Sequence, residues 1–428
     1  MKKRILSVTS VSLALALLYS TFTGCSGGAS SSSAGSAPAQ SAAAQTEKAT
    51  ISWWTPNWDE ATSKQFVSEF EAKNPNIKVN LVITDWDTYK SKITTAASTD
   101  NAPDLATVLV TDVPQFAKQA LAENLDSAIK DNNIDKDDFL KNALDIATVN
   151  NSVYGLPFRY DGSGMYYNVD LLKSAGYTSF PTTWDDFVTM CKKLTKNGVY
   201  GFAWPLGDQA NAATRLVQQF YTYGGDSVLN SDESKCMLNS DAGKKALSNI
   251  VNSMKEKYAS PNSLEWDNTK MRVAFGSGKL AVLFSGPFDV DTIKKDYPKL
   301  NFKTAVIPGI SGMGCTTANG WAVMECKNSK NKEAAGKFLS YIILPENQAR
   351  LTQSFPASKT AMKMAKFNTD TLAPFLKQLD NSKAEPGYQN WAEIEPILYS
   401  YIQKAVSGSI SVDDACAGME KDVNAVLG

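Results

Sequence analysis

Histidine is absent from all 428 residues. Its absence excludes histidine-based catalytic triads, histidine-ligated zinc and HExxH peptidase chemistry. An excess of either charge is missing too: 43 Lys and Arg stand against 44 Asp and Glu, a formal net charge of −1. Without surplus cations to neutralise phosphates, nucleic acid is not an expected partner. The six cysteines include no CxxC pair, so neither a disulfide scaffold nor a zinc ribbon is indicated. Cys191 falls on the apolar face of a helical pattern and reads as a small core residue, whereas Cys315 and Cys326 are left open as a pair or as two thiols. Asp131-x-Asn133-x-Asp135 begins like a calcium loop, but Lys136 stands where glycine is required and Asn142 where glutamate is required. Gly276-x-Gly278-Lys279 lacks the remainder of a phosphate-binding loop. No cofactor and no metal are expected.

What is present is a hydrophobic content of 43%, enough for one large or two medium domains, and a generous supply of rings, with 9 Trp and 16 Tyr. The first residues follow the order of an export signal. Lys2, Lys3 and Arg4 precede an apolar run from Ile5 to Leu18, and small residues lead to Gly24-Cys25. That run is shorter than the roughly 20 apolar residues of a spanning helix. Cys25 after Thr23-Gly24 resembles the lipobox of bacterial lipoproteins, in which the cysteine carries the lipid; Phe22 departs from the usual Leu. An ordinary signal with an incidental cysteine is the alternative. Ser26 to Gln45 is almost wholly Ser, Ala, Gly and Gln, a composition that buries too little apolar surface to fold. The expectation is a signal peptide at 1–24 and a lipidated Cys25 with a flexible tether over 25–48, holding the chain on the extracytoplasmic face of the cell membrane.

From Ala49 onward the pattern alternates between strand and helix. Ile51 to Trp54 reads as a strand that ends in the loop Thr55-Pro56-Asn57-Trp58. Ile77, Val79, Leu81 and Ile83 alternate as a second strand, and Leu105 to Val110 is a buried third. Helical spacing lies between them, with Phe66 and Phe70 four apart. The β-α-β-α-β order argues for a mostly parallel sheet flanked by helices. A second set follows from Asp161. Trp184, Phe187, Val188, Cys191 and Leu194 mark a helix face after Thr183-x-x-Asp186, Leu280 to Phe284 is a buried run, and Ser411-x-x-Asp414 opens a last helix. This count of elements suits two α/β lobes.

An ordered set of motifs covers nearly all of this part. It comprises Tyr154-Gly155-Leu156-Pro157, Tyr166 to Leu172 with Pro181 to Trp184, Phe275 to Ala281 with Gly286-Pro287-Phe288, Asn319 to Val323, and Lys332 to Leu339 with Phe355-Pro356-Ala357. Together they resemble the large extracellular solute-binding proteins of ABC importers, the maltose-binding protein family. The resemblance implies a two-lobe clamshell of the type II periplasmic-binding-protein kind, with a central hinge. It implies lobes of 49–160 with 308–352 and of 161–307 with 353–428, joined by three crossings near Tyr160–Gly164, Ala305–Gly309 and Leu351–Ala357. It further implies capture of a mono- or oligosaccharide by a monomer, delivery to membrane permease subunits, and no enzymatic step. A secreted glycosidase, which needs only two suitably spaced carboxylates, and a same-fold binder of a non-sugar solute remain the alternatives.

A sugar offers apolar C–H faces, which suit aromatic planes, and hydroxyls, which suit carboxylates and amides. Trp54 and Trp58, at and just past the end of the first strand, are candidates from position, with core packing as the other reading. Trp321, after the Asn319-Gly320 turn, is another. The resemblance adds Asp112, which alternatively caps a helix before Val113-Pro114, and Asp161, alternatively a turn residue beside Gly162. It adds Trp204, Phe288 and Trp391 at sugar-stacking positions, with Phe288 in place of the family's usual Trp. Trp266 and Arg215 are weaker candidates, read as surface or structural.

Overall fold

A computed structural model describes residues 48–428 except Thr352, Gln353 and Gln389. The expected signal, Cys25 and residues 26–47 of the tether lie outside the described residues.

Eleven strands are formed: β1 (Ala49–Pro56), β2 (Ile77–Thr84), β3 (Leu105–Leu109), β4 (Thr148–Val149), β5 (Ser152–Val153), β6 (Leu156–Gly162), β7 (Gly164–Asn168), β8 (Val282–Ser285), β9 (Phe302–Ala305), β10 (Thr316–Glu325) and β11 (Ser382–Ala384). The large sheet has the order β11-β10-β3-β1-β2, with β6 also paired to β10. β1 pairs in parallel with β2 and β3, as the alternating pattern demands, because helical crossovers return the chain in the same direction. β10 then enters antiparallel to both β3 and β6. The second sheet, β8-β7-β9, is antiparallel throughout. β4 and β5 form a separate two-stranded pair.

Each sheet organises its own apolar interior. Around the large sheet, Trp53, Phe66, Phe70, Leu105, Phe158 and Phe338 are buried together on one side. Tyr89, Val108, Val113 and Met324 are buried on the other side. Trp53 and Trp54 point to opposite faces of β1, so Trp53 joins the first cluster and Trp54 packs at the edge of the second. Around the small sheet, one cluster holds Phe187, Phe202, Trp204 and Leu216, and another holds Tyr166, Phe275, Leu283 and Phe375. The helices anchor themselves as the capping motifs require. The Thr183 hydroxyl accepts from the Asp186 amide at the start of Trp184–Leu194, and the Ser411 hydroxyl accepts from Asp414 at the start of Val412–Leu427.

The chain steps between the two sheets at Ser163, since β6 belongs to the large sheet and β7 to the small one. Gly162 and Gly164 flank that step for want of space: a Cβ on Gly162 would meet the Thr316 side chain, and one on Gly164 would meet the Phe375 ring. The segment between β9 and β10 returns the chain. One passage was not anticipated. β11 rejoins the large sheet alongside β10, after the helix Ala373–Gln378 and before Trp391–Val406, so the chain visits the large sheet once more than three crossings allow.

Cys191 is buried in the core as its spacing suggested, and Cys315 and Cys326 are free thiols. The last two flank opposite ends of the ten-residue β10, and at about 3.3 Å per residue they lie far beyond disulfide reach. No helix among the described residues is long and apolar enough to cross a membrane.

Candidate ligand-binding cleft

Where the two sheets face each other lies a cavity of about 670 Å³, within the usual range for small-molecule sites. One wall comes from the large-sheet lobe, through Trp58, Arg159, Asp161, Asn319 and Trp321. The other comes from the small-sheet lobe, through Asp208, Asn211, Arg272 and Phe288.

The apolar part of the first wall is a ring pair. Trp58 and Trp321 stand with centroids 5.3 Å apart and planes tilted by 56°. Trp58 reaches this place because β1 continues through Thr55 and Pro56, two residues beyond its expected end, before the short turn Asn57–Asp59. Trp321 is delivered by β10, whose register with β6 shifts between Trp321 and Ala322. Gly320 permits the approach, because a Cβ there would collide with the Arg159 carbonyl oxygen.

The polar part is built from guanidinium–carboxylate pairs. On β6, Arg159 Nε donates to Asp161 Oδ2 at 2.7 Å, and both side chains are largely shielded. From the opposite lobe, Arg272 Nη1 donates to Asp289 Oδ1 at 2.5 Å, while the Ser285 hydroxyl donates to Asp289 Oδ2 at 2.6 Å. Asn319 donates to Glu385 Oε2 at 2.8 Å and to the Thr111 hydroxyl at 3.1 Å. At the floor, Arg215 donates to Gln218 Oε1 at 2.6 Å and to the Ser163 hydroxyl at 3.1 Å, with its guanidinium 4.1 Å from the Phe284 ring centroid. Burial pulls the Arg215 pKa down to about 10, against the opposing pull of the Glu385 charge, so it stays cationic at neutral pH. No cluster of three or more potential metal-ligating His, Cys, Asp or Glu side chains occurs among the described residues.

Four of the eight anticipated residues therefore line the cavity: Trp58, Asp161, Phe288 and Trp321. The other four do not line it. Trp54 packs beside Tyr89, whose hydroxyl donates to the Trp54 carbonyl, because the longer β1 leaves it in mid-strand. Trp204 is 1% exposed, stacked on Trp184 with centroids 6.0 Å apart, and its indole N–H donates to Ser253. Trp391 opens a helix and packs edge-on to Tyr388 against the small-sheet core. Asp112 closes the turn Val110–Asp112 at the start of Val113–Lys118, without a side-chain capping bond. Arg215, read from sequence as surface or structural, is a buried member of the cavity floor. Arg159 and Glu385 were not anticipated at all. Alternation along β6 places Arg159 on the same face as Asp161, a signal that was available. Glu385 follows a three-residue strand that has no readable period.

A two-lobed fold with a polar and aromatic cleft between its lobes is the architecture of a solute-binding protein. The chain belongs to the bacterial extracellular solute-binding protein family, whose pattern matches residues 55–349. It is 28% identical to a putative binding protein of Brucella abortus over 84% of this chain and 88% of that one. It is 27% identical to a maltooligosaccharide ABC transporter solute-binding lipoprotein of Streptococcus pneumoniae, over 61% of this chain and 63% of that one. Among solved structures, an ABC substrate-binding protein from Listeria monocytogenes in complex with cycloalternan superimposes with a TM-score of 0.79 and 25% identity. That match covers 89% of this chain and all of the other.

Proposed function

We propose that this protein captures a neutral mono- or oligosaccharide between its lobes and presents it, chemically unchanged, to an ABC-type permease. The observation that carries the reading is the Trp58–Trp321 ring pair beside the Arg159–Asp161 pair in one interlobe cavity. The rings offer planes to C–H faces, and the carboxylate oxygens and guanidinium N–H groups offer partners to hydroxyls. The relatives that bind maltooligosaccharides and cycloalternan support the same ligand class. The lobes are assigned as 49–160 with 308–352 and as 161–307 with 353–428, with β11 added to the first. Attachment of a monomer to the extracytoplasmic membrane face through Cys25 completes the reading, supported by the N-terminal motif and the lipoprotein relative.

Asp161 and Asp289 are each engaged by a guanidinium, an arrangement suited to accepting hydrogen bonds more than to delivering a proton to a glycosidic oxygen. A thermal-shift screen across neutral mono- and oligosaccharides, with chromatography of the incubated sugars, tests the proposal. A sugar that raises the melting temperature and is recovered intact is expected. Shortened products would replace binding with hydrolysis, and a flat response across the panel would remove sugars from consideration.

A further inference from the structure

The Phe288 ring, expected to be a bare stacking plane, is already covered. The guanidinium carbon of Arg159 lies 5.2 Å from its centroid, within cation–π range. Elsewhere the ring packs against Gly286 so closely that a Cβ there would overlap it. The two partners belong to different lobes: Arg159 is on β6 of the large sheet, and Phe288 follows β8 of the small one. Both are held in place from behind. Asp161 accepts from Arg159 Nε, fixing the plane of the fork, while Gly320 packs against the Arg159 carbonyl and Asp289, next to Phe288, is tied to Arg272 and Ser285.

We infer that Arg159 is a specificity-determining latch: its guanidinium bridges the lobes by occupying the Phe288 face, and a ligand that stacks on that face must take its place. A planar cation on an aromatic face occupies the plane that the apolar C–H face of a sugar ring would cover. Once displaced, Arg159 keeps its bond to Asp161 and turns its remaining N–H groups to the guest. The cost of breaking the latch then falls on every ligand alike, and only those that both cover Phe288 and satisfy the freed fork recover it. The latch rests on geometry alone; its role in choosing a ligand rests on the sugar reading above.

The test uses the ligand-free, full-length protein. Spin labels attached through non-canonical residues at exposed Lys92 and Lys294, one on each lobe, report the interlobe distance distribution. Arg159→Gln and Phe288→Leu are each expected to raise the long-distance population by about 3- to 10-fold, and the double variant no further, because both remove one contact. Arg159→Lys, which keeps the charge but loses the planar fork, should also lengthen the distance. Circular dichroism melts establish that each variant is folded. Distributions identical to wild type in all folded variants, or fully additive effects in the double variant, overturn the latch. Because no sugar is present, that failure leaves the sugar reading standing, and a failed sugar screen leaves the latch standing.

Discussion

Trp58, Trp204 and Trp321 differ in what surrounds each ring, and those surroundings dictate what its removal does. Trp321→Ala and Trp58→Ala take planes from the cleft wall, so each is expected to weaken the binding of a sugar identified in the screen by about tenfold or more in isothermal titration. Trp204→Ala instead opens a void in a closed core and removes the indole N–H donated to the Ser253 hydroxyl, which keeps its own donation to the Ile250 carbonyl. It should cost about 3–5 kcal/mol in denaturant unfolding while leaving affinity unchanged in whatever protein remains folded. A Trp204 variant with weakened binding at full stability would move that ring into the site. The sequence shows that tryptophans are abundant but not which way each one faces. Trp53 and Trp54 were separable because strand alternation is local, whereas the fate of Trp204 depends on Trp184 and Ser253 converging from distant segments.

Single strands carry consequences of their own. Glu325, at the end of β10, is 1% exposed, and burial, reinforced by the nearby Glu123 and Asp104 charges and opposed by Lys332, raises its pKa to about 7. The unfolded chain releases this proton near the ordinary carboxylate value of 4.5, while the folded chain holds it up to about 7. The protonated side chain therefore stabilises the fold fully below about pH 4.5, and that contribution disappears as pH rises through 7. Glu325→Gln, neutral at every pH, is expected to flatten the decline in melting temperature between about pH 5 and 8 and to melt higher than wild type at pH 8; parallel pH profiles would refute this. Gly320→Ala, earlier on the same strand, drives a Cβ into the Arg159 carbonyl oxygen and should destabilise by about 2 kcal/mol or more in chemical denaturation. Elements with strong periods were readable beforehand: β1 to β3 and the helices opened by Thr183 and Ser411 all appear. β11 was not, because Ser-Lys-Ala carries no period and its place is set by pairing with Thr316–Ala318, more than sixty residues away in sequence.

For the whole molecule, the decisive question is what joins the lobes and how stiffly. Gln378 is fully buried at the end of the helix Ala373–Gln378, where its Oε1 accepts from the Ile307 amide at 2.7 Å and its Nε2 donates to the Gly314 carbonyl at 2.8 Å. Ile307 and Gly314 bracket the loop that carries the chain from the small sheet back to β10, and the residues after Gln378 lead to β11. One side-chain amide thus ties two of the interlobe passages to each other, a tie through which a movement of one would carry the other. Gln378→Leu preserves bulk but leaves a buried N–H and a buried C=O without this partner, at about 1–3 kcal/mol each. Two outcomes distinguish a hinge tie from ordinary packing. If Gln378 couples the passages, hydrogen exchange in the variant should accelerate at both Ile307 and the β11 segment while protection of β1 and β2 persists. If it only fills space, exchange should rise across the small-sheet core in proportion to the lost global stability, with neither passage singled out.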